Sequence, residues 1–224
     1  MAKSANILSN KLISHLANIE KTRKKSEELL RSGTLTNRDV NVIYSGLFLE
    51  AVVSFERFIE DLFTDLLSKR VNHPSKKVKP KTFFQSAIIA RNVLLGERSY
   101  LDWLPYNKFT SRRAKRFFQN GLPFTGLDNL IDTNIHPSID KKVDTITENI
   151  SIIRNALAHK SAHSLETFEK RILSLRHALH SREKNPIGYL RGLHSSHPTP
   201  TTRYEQIIND IKYISILLTS RKLK

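Results

Sequence analysis

SIDKKVDTITENISIIRNALAHKSA, residues 138–162, is the stretch of this 224-residue chain that decides its fold. Its apolar residues recur alternately four and three positions apart. This spacing places them on one face of a helix, and such a face is typical of a helix that packs into a bundle. The face consists of Ile139, Val143, Ile146, Ile150, Ile153 and Leu157.

Helical periodicity extends over most of the remaining chain. Residues 38–70 are apolar around so much of the helix circumference that this helix is expected at the centre of the bundle. Further helices are predicted at 5–31, at 82–95, over a segment that carries Leu165 to Leu179, and at 203–221. No strand pattern or internal repeat is evident. The sequence therefore predicts an all-α protein, one antiparallel helical bundle whose core covers about 5–70 and 138–221.

Two segments lack this periodicity. Residues 97–135 hold the only tryptophan, Trp103, among prolines and glycines. They are predicted to form an insertion with one short basic helix near 110–119. Residues 181–202 are rich in proline, glycine, serine and histidine, and this composition predicts a long mobile loop before the C-terminal helix.

The composition narrows the class of function. The chain has no cysteine, so a thiol nucleophile and a thiolate metal site are excluded. No apolar run approaches the roughly 18–20 residues that span a bilayer, and a cytoplasmic protein without a membrane partner is expected. The 37 Lys and Arg residues exceed the 21 Asp and Glu residues, and the formal net charge of +16 is spread along the chain. A protein with positive charge along its whole chain attracts polyanions, and this favours nucleic acid as the partner.

The helix at 138–162 has a second face, nearly opposite its apolar one. Glu148, Ile152, Asn155 and His159 fall on this side, and Arg154 lies between the two faces. An apolar residue and a histidine here indicate a second buried surface, such as a dimer interface or the floor of a cleft. The alternative is that Ile152 is a single exposed apolar residue, which is common on protein surfaces.

The stretch Arg154-Asn155-Ala156-Leu157-Ala158-His159 resembles the Arg-x4-His signature of the HEPN superfamily. Two other stretches fit the same family. Residues 49–56 resemble the apolar HEPN helix with an internal acid. Residues 100–105, followed by 121–124, resemble the insertion of the RiboL-PSP/MAE-type group. The resemblance covers about residues 38–180.

The resemblance implies a helical homodimer, formed through the Arg154–His159 helix, that cleaves RNA without a metal or cofactor. His159 would act as general base or acid, because an imidazole exchanges protons near neutral pH. Arg154 would hold the scissile phosphate, and Asn155 would orient the phosphate or the imidazole. The products would carry 2′,3′-cyclic phosphate and 5′-OH ends. The family implies a toxin or an antiphage-defence effector, with an antitoxin or another defence protein as partner.

Three further residues are expected to support this site. Glu148 would pair with Arg154 or set the histidine tautomer, and Lys160 follows the motif directly. Ser161 stands where some HEPN toxins carry a tyrosine that a partner nucleotidyltransferase modifies, so this route of silencing is not expected. Ser161 would contact RNA instead. The family also contains non-catalytic members, so a subunit that only binds RNA or docks a partner is the alternative function.

Two other clusters carry weaker signals. The cations Arg112, Arg113, Lys115 and Arg116 precede Phe117 and Phe118. These cations are predicted to contact RNA phosphates, whereas the two phenylalanines are predicted to anchor the segment to the core. His159 and His163 are four residues apart, but no third ligand has a fitting spacing, so no metal site is predicted.

Overall fold

A computed structural model describes residues 2–75, 78–96, 103–104, 116–119, 143–174, 179–194 and 199–220. Its helices are α1 (Asn6–Arg31), α2 (Asn37–Leu67), α3 (Ala87–Leu95), α4 (Val143–His159), α5 (Ala162–Phe168), α6 (Pro186–Arg191) and α7 (Arg203–Thr219). A π-helical turn (Glu169–Leu173) continues α5, and a short 3₁₀ turn (Ser181–Glu183) precedes α6. The protein is an all-α helical bundle, as the periodicity predicts.

The turn between α1 and α2 contains residues that favour the end of one helix and the beginning of the next. Gly33 adopts a positive φ of 77°, which a glycine accepts without steric cost. Thr36 then caps α2, since its hydroxyl accepts the Asp39 N–H and the Asp39 carboxylate accepts the Thr36 N–H. This capping box starts α2 antiparallel to α1.

Helix α2 is the centre of the bundle, which confirms the sequence prediction. It packs against α1, α3, α4, α6 and α7. Its aromatic residues Phe48, Phe55 and Phe63 are fully buried. The helix ends at Leu67 rather than at residue 70, because Lys69 turns the backbone into the left-handed region with a φ of 57°.

Helix α7 lies antiparallel to α1, and ion pairs hold the two helices together. Arg23 pairs with Glu205, and Glu20 pairs with Lys212 one to two turns away. Residues nearer the C-terminus of α1 therefore contact residues nearer the N-terminus of α7. The Thr219 hydroxyl donates to Ser9 Oγ over 2.9 Å and closes the far end of this pair of helices.

Helix α3 is shorter than predicted, because residues 82–86 form bends and Ser86 caps a helix that begins only at Ala87. A two-residue parallel pair, Lys3–Ser4 with Val71–Asn72, was not anticipated either. Most of the predicted insertion at 97–135, and most of its basic helix, lies outside the described residues. Within the described part, Trp103 stacks on Phe63 with ring centroids 5.0 Å apart.

The prediction of a loop at 181–202 was wrong for two parts of that segment, the 3₁₀ turn Ser181–Glu183 and helix α6. Pro186 stands at the start of α6, where its fixed φ suits a helix, and the Asn185 side chain accepts the Gly188 N–H as a cap. Tyr189 and Leu190 of α6 are buried in the core. Residues 195–198 lie outside the described part of the chain. No helix among the described residues is long and apolar enough to cross a membrane.

Candidate functional site around Arg154 and His159

The predicted apolar face of α4 is buried. Each described member of this face is at most 4% exposed: Val143, Ile146, Ile150, Ile153 and Leu157. Ile139 lies outside the described residues. Burial of this face fixes the rotation of α4 about its axis, and therefore the direction in which each motif residue leaves the helix.

The opposite face of α4 changes from half-buried to exposed along the helix. Ile152 is partly buried against the core, so it is not a freely exposed apolar residue. Asn155 is of intermediate exposure, and His159 at the last helical position is exposed. Asn155 and His159 stand one helical turn apart and share this face. The polar end of the predicted second face is therefore accessible to a ligand.

Arg154 is held by an acid of the central helix. Its Nη1 lies 3.5 Å from Glu56 Oε2, and the two side chains are only 17% and 11% exposed. A guanidinium in such surroundings is stable when a carboxylate compensates its charge. Glu56 is one of the two acids of residues 49–56, and it belongs to the site although no role was predicted for it there. The available signal was an acid next to Phe55 on the mostly apolar helix that was predicted to be central.

Glu148 does not pair with Arg154, contrary to one of the two roles predicted for it. Its Oε1 accepts a hydrogen bond of 2.7 Å from Arg171 Nη2, on the turn that follows α5. Glu148 and Arg154 are six residues apart and point to different sides of α4. The Glu148–Arg171 pair joins α4 to the antiparallel segment beside it, and both side chains are about half exposed.

The two residues after His159 shape the corner at the end of α4. Lys160 adopts a φ of 49°, a left-handed conformation that ends the helix. The Ser161 hydroxyl then caps α5 by accepting the Ser164 N–H over 3.2 Å. Lys160 is exposed beside the motif. Ser161 has a structural role at this corner, in addition to the RNA contact predicted for it.

His159 makes no hydrogen bond or ion pair with any residue in the part of the chain that the structure describes. Its imidazole is exposed at the corner, whereas Arg154 is anchored against Glu56. The arrangement thus offers one fixed cation and one accessible imidazole five residues apart on one helix. A fixed guanidinium can bind a phosphate group, and an accessible imidazole can exchange a proton with a hydroxyl group.

The basic cluster is described only in part. Arg112, Arg113 and Lys115 lie outside the described residues. Arg116 is exposed and its guanidinium lies 5.4 Å from the centre of the Phe117 ring. Phe117 and Phe118 are buried, and this confirms that the two rings anchor the segment to the core.

Among the residues that the structure describes, no group of three histidine, aspartate or glutamate side chains could hold a metal ion. Comparison of the chain with known protein families, with curated proteins and with solved structures finds no match.

Proposed function

We propose that this protein is a metal-independent endoribonuclease that acts as a homodimer, with Arg154 and His159 as its catalytic residues. The observation that carries the proposal is the contrast within α4. Arg154 is fixed against Glu56, and His159 is exposed at the helix end. The net charge of +16 supports RNA as the substrate. The HEPN resemblance extends the proposal to a toxin or an antiphage-defence effector.

In the proposed reaction, His159 accepts the proton of a ribose 2′-OH. The 2′ oxygen attacks the adjacent phosphorus as the bond from phosphorus to the 5′ oxygen breaks. Arg154 neutralises the charge that accumulates on the non-bridging oxygens, and Asn155 on the His159 face orients the phosphate. An acid returns a proton to the leaving 5′ oxygen, so the products carry 2′,3′-cyclic phosphate and 5′-OH ends.

A second copy of the chain supplies that acid in the form of its own His159. An exposed stripe on α2 supports dimerisation. Val42 is 68% exposed and Val53 is 54% exposed, and Gly46 and Leu49 lie between them on the same side of the helix. Glu56, which contacts Arg154, follows Val53 by three residues on this side of α2. A dimer that buries the stripe brings the two motif helices toward each other.

The cleavage test compares the wild-type protein with His159→Ala and with His163→Ala in excess EDTA. His163 is an exposed histidine four residues away, so it is the matched control. General acid–base catalysis contributes about 10²–10⁴-fold. The proposal predicts a loss of at least about a hundredfold for His159→Ala and near wild-type cleavage for His163→Ala. Equal activity of all three proteins would place the chemistry elsewhere.

The interface test uses Gly46→Arg. Gly46 is exposed and a Cβ there meets no atom within 4 Å, so the monomer is expected to keep its fold. The control is Asn10→Arg on the exposed side of α1. Sedimentation should show a dimer for the wild type and for Asn10→Arg, and a monomer for Gly46→Arg. A wild-type monomer, or a Gly46→Arg dimer, contradicts the proposed interface.

An uncleaved RNA that still binds would favour the alternative, a non-catalytic RNA-binding or partner-docking subunit. In that case neutralising Arg112, Arg113, Lys115 and Arg116 should weaken RNA affinity and flatten its salt dependence. His159→Ala would then leave the affinity unchanged.

A further inference from the structure

A polar cleft lies between α1, the start of α2, residues 182–192 and the start of α7. Its volume is about 940 Å³, within the range of small-molecule sites. Asn41 in its wall and Glu56 at the Arg154 site are separated by fifteen residues of α2, or about 22 Å along the helix axis. The cleft is therefore distinct from the proposed catalytic site.

Two arginines and a tyrosine form the inner wall of the cleft. The Arg23 guanidinium lies 5.8 Å from the centre of the Tyr44 ring, and the Arg191 guanidinium lies 5.4 Å from the same ring. Burial raises the pKa of Tyr44 to about 12, so its hydroxyl stays protonated. The wall therefore presents two permanent cations around one neutral phenol.

Arg23 has spare hydrogen-bonding capacity although it is buried. Its Nη1 donates to the Tyr44 hydroxyl over 2.9 Å, and its Nη2 pairs with Glu205. Its Nε is buried and has no hydrogen-bond partner among the described residues, and the residue is 4% exposed. A buried donor of this kind is costly unless something accepts its hydrogen.

Arg191 is held by several longer contacts. Its Nη1 donates to Asn41 Oδ1 over 2.9 Å and to Asn37 Oδ1 over 3.3 Å, and its Nε lies 3.3 Å from Glu27 Oε1. Arg191 Nη2 also donates to Glu27 Oε2 over 3.4 Å, and both Glu27 contacts are longer than the distance of about 2.7–2.9 Å that is usual for a charged hydrogen bond. An anion with several oxygens can therefore compete for this guanidinium.

The charges of the lining separate into a paired interior and an unpaired mouth. The acids Glu27, Glu183 and Glu205 each pair with an arginine. At the mouth the exposed cations Lys24, Arg31 and Arg182 form no ion pair with any described residue. The mouth therefore has an excess of positive charge, opposed there by the single carboxylate of Glu28.

We infer that this cleft binds a phosphorylated sugar, either free or as part of a nucleotide. A phosphate would meet the cations of the mouth and the Arg191 fork. The interior offers carboxylate and amide oxygens, from Glu27, Asn37 and Asn41, and these accept hydrogen bonds from sugar hydroxyls. Each of these side chains already contacts Arg191, and its oxygen keeps a second lone pair that a sugar hydroxyl can use. Tyr44 is only 1% exposed and two guanidinium groups lie within 6 Å of its ring centre, so the ring offers no surface for a base to stack on.

The test measures binding of ribose 5-phosphate, AMP and inorganic phosphate by calorimetry at constant ionic strength. It does not depend on RNA cleavage, so it stands whether or not the proposed nuclease activity holds. The mouth variant replaces Lys24, Arg31 and Arg182 with glutamine. The matched control replaces Lys21, Lys25 and Lys184, which are exposed and lie outside the cleft, with the same residue.

Ribose 5-phosphate or AMP should bind at least about tenfold more tightly than inorganic phosphate. The mouth variant should weaken that binding at least about tenfold, whereas the control triple variant should leave it within about twofold. Tighter binding of AMP than of ribose 5-phosphate identifies a nucleotide, and equal binding identifies the sugar phosphate. No binding, equal binding of inorganic phosphate (an adventitious ion only), or equal weakening in both variants would overturn the inference.

Discussion

The contact between Glu56 and Arg154 makes a quantitative prediction about stability. Removing one partner of a fully buried ion pair costs about 3–5 kcal/mol, whereas an exposed pair contributes about 0–1 kcal/mol. These two side chains are 11% and 17% exposed and 3.5 Å apart. Glu56→Gln should therefore lower the free energy of unfolding by about 2 kcal/mol. With a urea dependence of about 3 kcal/mol per molar, the unfolding midpoint should fall by about 0.7 M.

The matched control for this change is Glu50→Gln on the same helix. Glu50 contacts only His15 and Ser54 among the described residues, and the Glu50 and His15 side chains are 56% and 44% exposed. Its replacement should cost less than about 0.5 kcal/mol. A double-mutant cycle of Glu56→Gln with Arg154→Gln should give a coupling energy of about 1–2 kcal/mol. Additive effects, or equal midpoints for Glu56→Gln and Glu50→Gln, would refute this account of how Arg154 is positioned.

Two further predictions concern acid sensitivity and close packing. Burial lowers the pKa of His73, whose Nε2–H donates to the Leu218 carbonyl oxygen over 2.9 Å. Below about pH 6.5 His73 therefore binds a proton in the unfolded chain more readily than in the folded chain, and stability is lost as the pH falls. His73→Gln should reduce the drop in urea midpoint between about pH 7.5 and about pH 5.5, and an unchanged drop contradicts this. A Cβ at Gly188 would overlap the backbone carbonyl oxygen of Arg182, so Gly188→Ala should cost at least about 2 kcal/mol. Gly46→Ala, with no atom within 4 Å, should stabilise by about 0.5–1 kcal/mol. Equal midpoints for the two alanine variants would contradict the packing.

Periodicity was sufficient to predict the helices whose apolar faces are continuous. The predicted α4 face is buried at every described member, Val143 to Leu157, and α2 is central because its apolar residues surround the helix. Such patterns are local, so a sequence shows them directly. The loop prediction at 181–202 was also based on a local pattern, and it failed in part for that reason. Pro186 begins a helix there, and Gly192 permits the close approach of the Glu183–Arg203 pair, yet both residue types also signal loops.

The sequence indicated the chemistry of the candidate site better than its contacts. Arg154 and His159 are only five residues apart, so the sequence shows them as one motif. Glu56 lies almost a hundred residues before Arg154, and only the fold brings these two residues together. Glu148 is predicted to pair with Arg154 or to set the histidine tautomer, but it pairs with Arg171 of a neighbouring segment. The cleft around Arg23 and Arg191 was not anticipated, because its walls come from four separate segments.

The measurement that tests the central claim most directly is the mapping of RNA product ends in excess EDTA, with an RNA substrate and with the same sequence carrying 2′-O-methyl groups. The account predicts 2′,3′-cyclic phosphate and 5′-OH ends from the RNA, no cleavage of the methylated substrate, and loss of both product ends with His159→Ala or Arg154→Ala. Cleavage of the methylated substrate, 3′-OH ends, or unchanged products from the His159→Ala protein would contradict it.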